Sequence, residues 1–373
     1  MARAALSSPS TPRPTLVGPA MVQAAACILV IMFHIGEHLA SQGVKVWPVF
    51  RVTLGIDLFF VISGFMMAMW TKDGDTFAGF MIRRLGRIVP LYYVLTAAWI
   101  GLVSLRPGWF PHEDLSASAI LAGFAFMPHF NAGGAVQPPL FVGWTINYFM
   151  WLYVIFALTL RLPMGGRVLA TAAGVAALFG VALLFPKDSA FRDFFTDLQQ
   201  FEFVGGVWLA YLLQKPAVIS WVKRTSLLPI ILLGLAISVG TMAYWSVYGL
   251  DETPLDIIMG IGALCIVFGM VGHEIYRRPL KPNLLSRVGA LMYPMYLLHP
   301  FVIVLAVVVS ARLSPYLPVH PALFAAFVYG VTIGLSWLSD RYFETPVNSL
   351  IRRAAPAKPR TPSSDGSLSG QGG

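Results

Sequence analysis

Hydrophobic residues in this chain come in long, nearly uninterrupted runs rather than in alternation with polar ones. Ten runs lie near residues 17–40, 51–70, 88–105, 141–160, 168–186, 199–213, 226–248, 254–272, 288–311 and 321–340. A helix rising 1.5 Å per residue needs roughly 20 residues to cross a hydrocarbon layer about 30 Å thick. Inside that layer the backbone must satisfy its own hydrogen bonds, which a helix does within one segment. The pattern predicts an all-α polytopic membrane bundle of about ten transmembrane helices. The run 199–213 is short for a full crossing. The stretch 117–128 is apolar but shorter still, and Pro128 and the loop "HFNAGGAVQPP" follow it. It is expected to re-enter the membrane or to lie at its surface.

Basic residues orient these segments. With ten crossings and the N-terminus inside, 20 of the 26 lysines and arginines fall on the cytoplasmic side, among them Arg83, Arg84, Arg87, Lys223, Arg224, Arg277, Arg278 and Lys281. The outer segments hold Lys45, Arg51, Arg106, Lys187, Arg192 and Arg312, while acids such as Glu113, Asp114, Asp188, Asp193, Asp251 and Glu252 collect in outer loops. An eleventh crossing at 117–128 breaks this asymmetry. The positive-inside rule therefore favours ten spans with both termini cytoplasmic.

Composition changes the picture little. Of 373 residues 57% are hydrophobic and 12% charged, against roughly 25% charged in soluble domains. The net charge of +9 reflects membrane orientation, and no basic run sits within a foldable soluble domain, so nucleic acid is not an expected partner. Cys27 and Cys265 lie inside apolar runs and read as small packing residues, not as a disulfide or metal pair. Residues 1–14 form a polar lead, expected to be flexible and cytoplasmic. No small-residue cleavage site clearly follows the first apolar run, which is read as a retained helix. Residues 15–350 form the membrane domain, and 351–373 a basic, Pro/Ser/Gly-rich tail expected to be disordered. No internal repeat is evident, which argues against a transporter built from inverted halves.

Polar residues inside the runs carry the candidate chemistry. Counting from the outer end of each span, His34 and Asp57 lie about 9 Å deep, Trp144 about 5 Å and Asn147 about 9 Å. Glu202 and Asp256 are shallower, and Ser63 and His299 lie near the midplane. Ionisable groups in hydrocarbon cost several kcal/mol unless they face a cavity or a partner. Groups at matching depth on separate spans therefore point to one polar cavity open to the outside. Histidine suits a general base because it titrates near working pH. The stretch "MFHIGEHLAS" also spells H-x-x-E-H through His34, Glu37 and His38, an order found in one class of zinc peptidases. A catalytic zinc needs a third protein ligand, and no downstream motif is placed to supply it, so no metal is expected.

Seven segments in order resemble the acyltransferase-3 family of integral membrane O-acyltransferases, which includes O-acetylases of exopolysaccharides, O-antigens and Nod factors. "LVIMFH", ending at His34, resembles the end of the family's first helix. "GIDLFFVISGFMM" and "FMIRRLGRIVPLYY" are similar to its second-helix block and its basic segment. "VGWTINYFMWLY", "FEFVGGVWLAYL", "LMYPMYLLHP" and "FETPVNSLIRR" follow at matching places. Two positions depart from the pattern: Gln23 stands where the family usually has arginine, and Phe149 where it usually has glutamate.

The resemblance implies transfer of an acyl group, usually acetyl from acetyl-CoA, to a carbohydrate hydroxyl. His34 is then the expected base, with Asp57 as its orienting partner. Arg83, Arg84 and Arg87, with Ser63, are expected to take the acyl-CoA; the alternative for the arginines is anchoring at lipid phosphates. Trp144, Asn147, Tyr148, Glu202 and His299 are expected around the acceptor. Glu344 is expected to fix a helix end by pairing with Arg341 or another arginine. No bound cofactor is expected, acyl-CoA being a co-substrate; the partners are acyl-CoA, a glycan that is free or lipid-linked, and the bilayer. Two other readings stay open: an inactive relative in polysaccharide assembly, kept alive by Gln23 and Phe149, and a carrier for a lipid-linked glycan.

Overall fold

The computed structural model describes residues 16–44, 54–71, 74–248, 252–313 and 320–354. Fifteen α-helices follow one another in these residues: α1 Val17–Ser41, α2 Leu54–Trp70, α3 Phe77–Leu105, α4 Ala117–Ala125, α5 Trp144–Leu158, α6 Met164–Ala182, α7 Ala190–Phe195, α8 Gln200–Leu212, α9 Pro216–Arg224, α10 Leu228–Tyr248, α11 Glu252–Tyr276, α12 Leu284–Ala290, α13 Met292–Leu313, α14 Pro321–Ser339 and α15 Thr345–Ala354. No strand occurs among the described residues. Among the described residues eight helices are long and apolar enough to cross a membrane, or nine if the bent pair at 190–224 is one span. Large side chains such as Leu105, Leu121, Leu158, Leu169 and Leu184 are exposed on the bundle, as a lipid-facing surface requires. The protein is a multi-pass, all-α membrane protein.

Each of the ten expected runs is helical, with adjusted ends. The second, α2, is 17 residues long. The third starts at Phe77 rather than 88, because Thr76 caps it by accepting the Gly79 N–H at 3.1 Å and no breaker follows before Pro90. Arg83, Arg84 and Arg87 therefore ride on the crossing helix itself. The sixth is continuous as α8 and forms one apolar unit with α7, from which α9 departs at 84°. The segment 117–128 holds only the nine-residue α4, ended by Phe126 in the left-handed conformation at φ 58°. Tyr92 and Tyr93 of α3 donate to the carbonyls of Gly123 and Phe124 and hold it against the bundle. The last helix runs to Ala354, beyond the boundary expected at 350. The lead 1–14 and the tail from 355 lie outside the described residues.

Two devices position the centre of the bundle. The start of α1 is capped by a distant carboxylate: Glu274 of α11 accepts the N–H of Val17 at 2.7 Å and of Gly18 at 2.6 Å. A buried anion there satisfies two orphan donors and suits the positive end of the helix. The second device is the contact of α2 with α8. A Cβ on Gly64 would lie 2.0 Å from the Phe203 carbonyl oxygen, and one on Gly206 2.0 Å from that of Val61. Small residues let helix backbones touch where lipid offers no hydrophobic drive to association. These contacts lock α2 between α1 and α8 and carry Asp57 and Ser63 into the interior.

Candidate active site

Two cavities open inside the bundle. The larger, about 600 Å³, lies where α1 ends and α2, α5, α8 and α11 begin, and His34, Glu37, Trp144, Asp193, Asp197 and Asp256 help to line it. The smaller, about 100 Å³, lies further along α2 and is lined by Gln23, Ser63, Arg84, Arg87, Thr145 and Phe149 among others. Tyr296 of α13 lines both. Its hydroxyl donates to the Val142 carbonyl at 2.7 Å and lies 2.8 Å from Thr145 Oγ1. Tyr296 and Thr145 thus form the wall between the cavities.

His34 stands on that wall's far side with a defined orientation. Its Nδ1 lies 2.9 Å from Glu37 Oε2, one turn further along α1. Its ring stacks on His299 at 5.2 Å and meets Phe141 edge-on at 5.3 Å. With Nδ1–H donating to the carboxylate, the other nitrogen, Nε2, is left as an acceptor. The expected partner, Asp57, does not fill this role. It is buried in α2 and shares a hydrogen bond with the equally buried Glu202 of α8. Equal depth placed Asp57 beside His34 in the sequence reading, but depth leaves open which way a side chain points around its helix.

The remaining candidates separate by position. Arg84 and Arg87 line the smaller cavity with Ser63, whereas Arg83 is drawn to Asp75 at 2.9 Å and lines neither. Arg84 packs over the Phe80 ring at 5.4 Å. Among the described residues neither Arg84 nor Arg87 has a carboxylate within 4.0 Å, and Arg83–Asp75 is the arginine salt bridge present. Trp144 lines the larger cavity. Tyr148 supports it from behind: its hydroxyl donates to the Phe194 carbonyl at 2.8 Å and to Asp197 Oδ2 at 3.0 Å, and its ring stacks on Phe194 at 3.8 Å. Asn147 and Glu202 are buried outside both linings; Asn147 Oδ1 and Glu202 Oε2 have no hydrogen-bond partner among the described residues. His299 is wholly buried, and neither ring nitrogen has such a partner. Glu344 accepts from Ser339 at 3.4 Å rather than from Arg341.

The two departures from the family pattern meet in one place. Gln23 and Phe149 both line the smaller cavity, close to Arg84. Gln23 Nε2 donates to Met66 Sδ at 3.3 Å, and Phe149 packs on Phe60 at 5.0 Å. His38, the second histidine of the H-x-x-E-H run, turns away from His34 and stacks on Phe324 at 5.5 Å. Among the described residues no group of three His, Cys, Asp or Glu side chains is placed to hold a metal ion.

Sequence reasoning missed the wall and most of the acceptor-side carboxylates as site residues. Tyr296 sits within the "LMYPMYLLHP" segment, yet a tyrosine in an apolar helix carries no signal of its own. Asp193 and Asp197 precede α8 and look like ordinary loop acids until the chain folds back over α5.

Comparison with known proteins agrees with the geometry. The acyltransferase-3 family model, described as an acyltransferase domain, matches residues 20–341. The chain is 29% identical over 285 residues to the exopolysaccharide production protein ExoZ of Rhizobium meliloti (strain 1021), covering 76% of this chain and 86% of that protein. No solved structure gives a significant match. A histidine cavity and an arginine cavity meeting inside a helical membrane bundle, under a family match that spans nearly all of it, make this chain a member of the acyltransferase-3 family, an integral membrane O-acyltransferase.

Proposed function

We propose that the protein moves a short acyl group, acetyl, from acyl-CoA to a hydroxyl of an exported polysaccharide at the bacterial inner membrane, with both termini in the cytoplasm. One observation carries this reading: a cavity holding two arginines without carboxylate partners among the described residues and a cavity holding an oriented histidine share the single residue Tyr296. The phosphates of CoA supply the missing anions, and guanidinium groups suit phosphate. The basic bias of the Arg84 end supports a cytoplasmic donor, where acyl-CoA is made. Gln23 and His34 are eleven residues apart, about 16 Å along α1. The acyl group therefore travels on an extended arm past Ser63 to the Thr145–Tyr296 wall. The exopolysaccharide role in the name of the similar ExoZ supports a glycan acceptor.

In the reaction, His34 Nε2 takes the proton of the acceptor hydroxyl as its oxygen attacks the thioester carbonyl. The Glu37 carboxylate steadies the imidazolium through Nδ1. The C–S bond then breaks, and the departing thiolate takes that proton back from the imidazolium. The ester stays on the glycan and free CoA leaves. Gln23 and Phe149 fit an active enzyme: replacing an arginine and a glutamate together at one cavity leaves no unpaired buried charge behind.

The test is transfer of labelled acetyl from acetyl-CoA to the host glycan by membranes holding the native chain, an equally abundant folded His34→Ala variant, or neither. Label with the native chain alone is expected. Equal transfer by the variant overturns His34 as base. No transfer by the native chain, with an active relative working on the same glycan, makes the protein a non-catalytic homologue. Glycan movement across the membrane driven by an ion gradient without acyl-CoA makes it a carrier.

A further inference from the structure

The two cavities carry opposite charge. Arginines in the smaller one follow from an anionic donor, and Glu37 in the larger one from its pairing with His34, but nothing in the transfer chemistry requires the further acids there. It has four carboxylates in its wall, Glu37 of α1, Asp193 of α7, Asp197 between α7 and α8, and Asp256 of α11. Among the described residues no lysine or arginine lines it. Arg192, the nearest in sequence, donates instead to the Leu183 and Phe185 carbonyls at 3.2 and 3.0 Å. The wall is also built rather than loose. Asp197 Oδ2 accepts from Tyr148 at 3.0 Å and Oδ1 from the Gln199 N–H at 2.9 Å. Gln137 and Thr196 add neutral donors and acceptors, and Trp144 an apolar face.

We infer that the larger cavity takes an uncharged, hydroxyl-rich stretch of glycan as acceptor and refuses sugars that carry a carboxylate or phosphate. The inference rests on the acyltransferase reading above and adds the acceptor's chemical class. Ionised carboxylates only accept hydrogen bonds, and sugar hydroxyls are donors able to satisfy them in charge-assisted fashion. A uronate in the same space meets like charges from four elements, a repulsion that is strongest at low salt. The charge division also keeps the substrates apart: CoA phosphates are held at the arginine end and repelled from the acidic end, so each substrate has one way in.

Binding to the full-length protein in detergent separates the outcomes. The probes are a linear hexagalacturonate, its methyl ester and a neutral glucan hexasaccharide. The ester and the free acid share rings and linkages and differ in charge. At low salt the ester and the glucan are expected to bind at least tenfold more tightly than the acid, with the gap narrowing as salt rises. Asp193→Asn/Asp256→Asn is expected to cut that gap to under threefold, and Asp193→Asn alone to reduce it should the double variant fail to fold. Equal binding of acid and ester, an unchanged gap in the variants, or no binding of any probe overturns the inference. If host-glycan transfer still depends on His34 while acid and ester bind alike, the acceptor class alone is wrong. If His34→Ala transfers normally, the acyltransferase reading has failed.

Discussion

Glu37→Gln tests whether His34 is oriented by its own helix or by the α2 carboxylate. The bond at stake is the 2.9 Å contact between His34 Nδ1 and Glu37 Oε2. A hydrogen bond to a charged group contributes about 1.5–3 kcal/mol. The Glu37 side chain is 57% exposed and that of His34 16%, so solvent screening brings the value down to about 0.5–1 kcal/mol. This stabilisation grows as the imidazolium forms, so it falls on the transition state, where about 0.5–1 kcal/mol corresponds to roughly two- to fivefold in rate. Glu37→Gln is expected to lower kcat for acetyl transfer about two- to fivefold. KM for acetyl-CoA is expected to stay unchanged, because the arginines lie in the other cavity. Asp57→Asn keeps a hydrogen-bonding partner for Glu202 and is expected to hold kcat within about twofold per folded molecule. Steady-state transfer by purified protein in nanodiscs, normalised to monodisperse protein, measures all three. A native kcat in Glu37→Gln, or a tenfold fall in Asp57→Asn, refutes the assignment.

Other regions make separate commitments. Arg84→Gln is expected to raise KM for acetyl-CoA roughly tenfold or more with kcat nearly constant, the pattern of a lost remote contact; Arg83→Gln, already engaged by Asp75, is expected to change it less than about twofold. Gly64→Ala puts a Cβ 2.0 Å from the Phe203 carbonyl oxygen and is expected to destabilise the bundle by about 1–3 kcal/mol, read as a lower Tm in detergent. Gly101→Ala, with nothing within 4 Å of the new Cβ, is the control and is expected to be neutral or stabilising. Burial pushes the Glu113 carboxyl, in the loop before α4, up to about 7, although the Trp99 indole N–H donates to it at 3.3 Å. Between the ordinary 4.5 and about 7 the folded state keeps a proton that the unfolded state has lost, so stability falls as pH rises through that window. Glu113→Gln is expected to flatten the slope of Tm against pH from 4.5 to 7; an unchanged slope counts against it.

Much of the fold was legible because lipid makes the rules simple. Any long apolar run must be a helix there, and each of the ten runs is helical where described, with the ninth divided at Leu291 between α12 and α13. The end of α3 was harder to read. Its basic first turns look like a boundary, yet the Thr76 cap and the absence of a breaker carry the helix through Arg83, Arg84 and Arg87. Of the candidate site residues, His34, Trp144, Ser63, Arg84 and Arg87 line the two cavities, while Arg83, Asp57, Glu202, Asn147, Tyr148 and His299 line neither.

The division has a physical cause. Sequence by itself determined the helices, their order and the polar residues worth explaining, because burial in hydrocarbon is a property of each segment alone and a charge there is costly wherever it points. Partnership was decided only by the tertiary structure. A membrane helix is apolar around most of its circumference, so its pattern does not say which face turns inward. That choice came from contacts between segments far apart in the chain: Gly64 and Gly206 drawing α2 onto α8, and Glu274 capping α1. Those contacts turned Asp57 toward Glu202, left His34 to Glu37 and His299, and set Gln23 and Phe149 against one cavity beside Arg84.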